Sequence, residues 1–140
     1  MDFPFISTIL LTPILAILLL FFIPPTSKKA IKLVAAIAML ISFLLTIYVY
    51  INYDSSAGGM QFVEKIPWIS DLGVSYAVGI DGISLPMLFL TDIIGLASVF
   101  SSWNINKRPK EFFILLLLLI AGVTGTFIAL DLFIFLLFYE

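Results

Sequence analysis

The 140-residue sequence predicts an all-α polytopic membrane protein, a fragment with four transmembrane helices and the first half of a fifth. Three observations carry that reading. Apolar residues make up 62% of the chain and charged residues 11%, against about half and about a quarter in ordinary soluble domains. A chain this short has too much surface to hide that excess from water. The apolar residues are also gathered into runs long enough for a hydrocarbon layer of ~30 Å, and most charges fall between the runs. A water-soluble globular enzyme is excluded.

The first run extends from Phe3 to Ile23 and carries no charge. A secretory signal would need a positive start and a small-residue cleavage site, whereas this chain opens on Met1-Asp2 and passes into "FFIPPTSKK". The run therefore reads as a retained helix. Pro4 is tolerated near the first turn, and Pro13 is expected to kink the middle. Pro24 and Pro25 end the helix, and residues 27 to 32 read as a short basic turn. The second run, Ala30 to Ile51, closes in "YVYINY", whose Tyr48, Tyr50 and Tyr53 suit an interfacial aromatic belt. So short a turn implies an antiparallel pair, and 1–51 is expected to be an N-terminal transmembrane hairpin.

Residues 52–82 are the only extended polar stretch and form the expected extracytoplasmic loop. "DSSAGG" reads as a turn, and the alternation in "GVSYAVG" predicts one short strand or extended segment. Trp68 beside Pro67 suits a loop lying on the headgroups. The third run follows, from about Ile83 to Trp103. Asp81 or Ser84 is placed to cap its free N–H groups, and Pro86 falls in the permissive first turn. "NINKRPKE" is the next turn and completes the region 83–111. The region 112–140 holds a fourth run, Phe112 to Leu130, and a fifth that begins at Asp131, another expected cap.

This order of spans places Lys28, Lys29, Lys32, Lys107, Arg108 and Lys110 on one side and Lys65 alone on the other. A one-sided bias in short loops predicts cytoplasmic basic turns in a bacterial inner (plasma) membrane, with the N-terminus and the 52–82 loop outside. No lysine falls inside a predicted span. Glu111 beside Lys110 and Arg108 reads as local charge balance at the interface.

The chain has no Cys and no His. Disulfides, thiolate nucleophiles, cysteine-ligated iron–sulfur clusters and histidine-held haem or zinc are therefore excluded. The seven basic residues form no continuous patch, so nucleic acid is not an expected partner. Carboxylates, lysines and hydroxyls remain, which points to ion or proton handling.

Glu140 is the most informative of these groups. It stands nine residues beyond Asp131, about 13 Å into a helix, near the middle of the layer. An ionised carboxylate there is costly unless paired or hydrated, and such groups commonly line proton routes. The span would need about ten more residues, so the natural product is expected to be longer. A re-entrant hairpin and an uninserted tail are the alternative readings. Asp92, about eight residues inside the third helix, is either an interior proton or contact site or, if the helix is shifted, a headgroup neighbour. Asp131 reads as a cap rather than a conductor. Ser98, Ser101 and Ser102 either hydrate a pathway or line a packing interface. Gly122, Gly125, Thr126 and Ala129 recur at i, i+3, i+4 and i+7, one face of the fourth helix. That face is expected to pack against the fifth helix, with Thr126 bonding across it. The leucines from Leu115 to Leu119 read as lipid or packing surface.

"VGIDGISLPMLFLT" at residues 78–91 and "RPKEFFILLLLLIAGVTGTFIALDLFIFLLFYE" at 108–140 follow a hydrophobic hairpin and "IPWISDLGVSY". In this order they resemble the M-subunit family of bacterial NADH–quinone oxidoreductase, respiratory complex I. That family belongs to the antiporter-like subunits, shared with multisubunit cation/proton antiporters and membrane-bound hydrogenases. The resemblance covers essentially the whole chain and implies roughly the first quarter to third of a longer protein with two inverted repeats. It implies that Glu140 is the proton-translocating glutamate of the fifth helix, paired with a lysine on a later helix. NADH, flavin, iron–sulfur clusters and quinone would then be bound elsewhere in the complex, with no cofactor in this subunit. The implied partners are other membrane subunits, including neighbouring antiporter-like ones, and the lipid bilayer. A subunit of a cation/proton antiporter or of a hydrogenase is the alternative, and a non-catalytic membrane scaffold is the bland one. The 140 residues alone are expected to be inactive.

Overall fold

The computed structural model describes residues 3–140. Helix α1 spans Phe5–Phe22 and α2 spans Lys28–Asn52. A β-hairpin follows, with β1 at Gln61–Ile69 and β2 at Val74–Ile80. Helices α3 (Ser84–Ser101), α4 (Pro109–Ile128) and the shorter α5 (Leu132–Tyr139) complete the chain. The first four helices are each long and apolar enough to cross a membrane. The protein is therefore a mostly helical, polytopic membrane protein.

Helices α1 to α4 form a ring in which α1 packs on α2, α2 on α3, α3 on α4 and α4 on α1, with α2 also meeting α4. Each helix buries only a stripe. On α3 the stripe is Leu85, Leu88, Asp92, Gly95 and Val99, spaced by three and four residues. The opposite faces carry bare large side chains such as Leu19, Phe22, Ile94 and Leu119, which suit lipid as the surrounding solvent. α1 is unbroken at Pro13.

The interior holds two apolar clusters stacked along the bundle. One contains Leu20, Ile31, Met39, Val99, Phe113 and Leu117. The other contains Ile6, Ile9, Val49, Val78, Leu88 and Ile128. The strand residues Val78 and Ile80 belong to the second cluster, so the hairpin closes one end of the bundle.

That hairpin corrects the expected single short segment. Its antiparallel register pairs Glu64 with Val78, Lys65 with Ala77 and Ile66 with Tyr76. The reversal passes through a single turn of tight helix at Ser70–Leu72 and Gly73, whose φ of 68° favours glycine. The register shifts between Gln61 and Glu64, where Phe62 adopts a φ of 54°, as at a bulge. Trp68 lies on β1, its ring edge-on to that of Phe133 with centroids 5.6 Å apart.

Hydrogen bonds fasten the hairpin to α1 and to the connection between α4 and α5. The Ser7 amide, in the first turn of α1, donates to Glu64 Oε2 at 3.0 Å. The Ser7 hydroxyl meets the Tyr76 hydroxyl at 2.8 Å. The Leu130 amide donates to the Ala77 carbonyl at 2.8 Å. Burial raises the Tyr76 phenol above its ordinary value, the Ser7 bond opposes that, and the Glu64 charge adds to it.

The basic end is built differently from the expected turn. Lys28, Lys29 and Lys32 lie inside α2 rather than before it. Lys32 is only 9% exposed, and its Nζ donates to Asn106 Oδ1 at 3.4 Å. Lys28, Lys29 and Lys32 of α2 and Lys110 of α4 thus lie in the first two turns of helices long enough to span. Lys110 Nζ donates to the Phe21 carbonyl at 3.2 Å, closing the end of α1. Arg108 precedes α4 with a φ of 52°, and Pro109 opens that helix without losing a needed N–H. The six cations lie at this end of the bundle, and Lys65 lies on the hairpin at the other.

Candidate functional site

Two carboxylates dominate the interior chemistry, and they occupy different places. Asp92 is the ninth residue of α3, about 13 Å along its axis, and is fully buried. Its partners come from α2. Ser42 Oγ donates to Asp92 Oδ1 at 3.1 Å. The Thr46 hydroxyl contacts Asp92 Oδ2 and also lies 3.0 Å from the Ser42 carbonyl oxygen. Ser42 is 2% exposed and Thr46 is fully buried. This polar group sits between the two apolar clusters. Asp92 thus faces α2 inside the bundle rather than the bundle's outer surface.

Ser42 and Thr46 are absent from the sequence-derived site. The available signal was their i, i+4 spacing on a long apolar run, which puts both on one helix face. Ser101 and Ser102 lie nine and ten residues beyond Asp92, at the far end of α3. Ser98 Oγ donates to the Ile94 carbonyl of its own helix at 2.7 Å. The structure does not bring these serines to Asp92.

Glu140 follows α5, and the geometry of α4 positions it. Gly122 and Gly125 lie beneath Phe138: a Cβ on Gly122 would stand 3.2 Å from the Phe138 carbonyl oxygen, and one on Gly125 would overlap the Phe138 ring. Glu140 borders an open groove of about 770 Å³ whose lining includes Leu118, Gly122, Thr126, Leu137 and Tyr139. Thr126 does not bond across to α5. Its hydroxyl donates to the Gly122 carbonyl at 2.8 Å, the usual helix-interior choice of a threonine. Ala129 lies just past α4 in extended backbone and bridges to Val78 of β2, so it leaves the expected helix face.

The start of α5 is fixed twice by one side chain. Asp131 Oδ1 accepts from the Phe133 amide at 2.8 Å, and Asp131 Oδ2 accepts from the Ser75 amide of β2 at 3.3 Å. α3 begins with a reciprocal arrangement. Asp81 Oδ1 accepts from the Ser84 amide at 2.7 Å and the Ile83 amide at 2.9 Å, while Ser84 Oγ accepts from the Asp81 amide at 2.9 Å. The Ser84 and Ile83 bonds hold the Asp81 carboxyl below its ordinary range. Among the described residues no group of acidic side chains is arranged to hold a metal ion.

No protein-family model matches the chain. Curated relatives do. The chain is 39% identical over 140 residues to NAD(P)H-quinone oxidoreductase chain 4 2 of Microcystis aeruginosa, covering 99% of this chain and 25% of the relative. It is 38% identical to NAD(P)H-quinone oxidoreductase chain 4 of Prochlorococcus marinus, covering 99% and 26%. A relative in Synechococcus elongatus, NAD(P)H-quinone oxidoreductase chain 4 1, is 36% identical with the same coverage. The chain thus spans about a quarter of the length of the curated relatives it matches.

Proposed function

We propose that this chain belongs to a proton-translocating membrane subunit of an NAD(P)H–quinone oxidoreductase, and that Glu140 is one of its proton-handling groups. The observation that carries the reading is the match to the chain 4 proteins along 99% of this sequence. The helical, lipid-facing architecture is of the kind such a subunit requires. The finer label of subunit M, the inverted-repeat organisation and the four-part division at 51, 82 and 111 belong to the same proposal.

The proposed division of labour rests on the resemblance and is compatible with the residues. With neither Cys nor His, this chain has no side chains for ligating iron–sulfur clusters or haem in their ordinary ways. By the resemblance, dinucleotide oxidation, flavin and cluster electron transfer and quinone reduction belong to other subunits, with no cofactor in this one, and the missing Cys agrees with that. The role proposed for this chain is charge movement across the membrane. A carboxylate in a low-dielectric layer stays ionised only beside a cation or water, and it takes up a proton when that support withdraws. Glu140 stands nine residues beyond the Asp131 cap, about 13 Å from the hairpin end. Its partner cation, a lysine of a later helix, and the neighbouring antiporter-like subunits come with the whole complex. The orientation proposed is the basic end in the cytoplasm and the hairpin outside a bacterial plasma membrane. The segregation of six cations from Lys65 supports it.

Affinity purification through a tag on the full-length protein tests the assignment. The reading expects co-purification of a flavin- and iron–sulfur-containing assembly that oxidises NADH or NADPH with quinone. Recovery instead with an assembly that exchanges cations for protons and lacks quinone reductase activity would contradict it.

A further inference from the structure

The α2–α3 interface carries a second proton question, independent of Glu140 and of the proposed function. The Thr46 hydroxyl has one hydrogen, yet its oxygen contacts two acceptors, the Ser42 carbonyl oxygen and Asp92 Oδ2. If Asp92 were ionised, one of those contacts would lack a hydrogen of its own. A proton on Asp92 Oδ2 resolves the count. Asp92 then donates to Thr46, Thr46 donates to the Ser42 carbonyl, and Ser42 Oγ donates to Asp92 Oδ1. Each donor is used once. Among the described residues no buried side-chain polar atom is left without a partner.

Among the described residues, none of the elements packed against α3 places a cation beside the carboxyl. On α2 the cations Lys28, Lys29 and Lys32 lie in the first turns, Lys32 ten residues and about 15 Å of helix before Ser42. Tyr48 and Tyr50 lie toward the opposite end of that helix. On α4 the titratable groups are Lys110 and Glu111, both in the first turn, and α3 has none besides Asp92. A buried carboxylate charge with no cation beside it is strongly disfavoured.

Close packing seals the place. One turn further along α3, a Cβ on Gly95 would stand 2.7 Å from Met39 Cε of α2 and 3.0 Å from Ile120 Cδ1 of α4. Glycine there lets the three helices meet directly beside the carboxyl.

We propose that Ser42, Thr46 and Asp92 form a one-proton site at the α2–α3 interface, in which a neutral Asp92 fastens the two helices. A proton is thus the ligand of this site.

Infrared spectroscopy of the full-length protein in lipid tests the proposal. At neutral pH it expects a protonated-carboxyl C=O band that is lost in Asp92→Asn and retained in Glu140→Gln. In Ser42→Ala the band moves to higher frequency, because Oδ1 loses its donor, and this variant serves where Asp92→Asn fails to fold. A carboxylate signature in place of that band, or a band unmoved in Ser42→Ala, overturns the proposal.

Discussion

The ring of Phe138 lies directly over Gly125, in the space that any side chain at that position would occupy. This contact lets α5 approach α4 closely just before Glu140, two residues beyond Phe138. Gly125→Val should displace α5 and destabilise the fold by about 1–3 kcal/mol, the usual cost of overpacking. Gly122→Ala meets only the Phe138 carbonyl oxygen, at 3.2 Å, and should cost less. Thermal unfolding of both variants in detergent checks the order.

The cap of α3 gives a pH test. Bonds from the Ser84 and Ile83 amides hold the Asp81 carboxyl below its ordinary value of 3.8. A group depressed in the folded state stabilises fully above its unfolded value, and that contribution fades as pH falls through the lower folded one. Asp81→Ala should cost about 1 kcal/mol at pH 7. The gap between wild type and Asp81→Asn should then shrink on acidification below pH ~4, as read from unfolding midpoints.

The hairpin depends on α1 through Glu64. Its carboxylate accepts from the Ser7 amide, one of the unsatisfied donors of the helix start. Glu64→Ala should loosen the hairpin by about 1 kcal/mol. Faster hydrogen exchange in residues 61–80, with α3 and α4 unchanged, is the expected result.

Much of this architecture is legible in the sequence because membrane insertion is decided by local composition. An uncharged run such as Phe3 to Ile23 needs no knowledge of its neighbours to be read as a span. The caps are legible for the same reason, since Asp81 and Asp131 act within three residues of themselves. Contacts across the chain are another matter. Ser42 and Asp92 are fifty residues apart, and nothing local says that α2 turns its polar pair toward α3. β1 was hidden because "QFVEKIPWI" mixes charge and proline, as exposed edge strands do. Lys32 was read as part of a turn because α2 begins earlier than its apolar run. The close approach of α5 to α4 was foreshadowed by Gly122 and Gly125, whereas the internal bond of Thr126 uses a carbonyl of its own helix.

Topology can be read chemically in the full-length protein carrying no other cysteine, since these 140 residues contain none. A cysteine placed at Ser55, in the loop before β1, should react in whole cells with a membrane-impermeant thiol reagent. One placed at Asn104, between α3 and α4, should react only after the membrane is opened. The reverse pattern would invert the proposed orientation.

The central claim is that Glu140 handles protons. Its most direct test is Glu140→Gln in the full-length protein within the assembled complex, with protons moved per quinone reduced measured in sealed vesicles. The account predicts an intact assembly and a clear fall in that ratio, because glutamine fills the same space without binding a proton. An intact assembly with an unchanged ratio would contradict it.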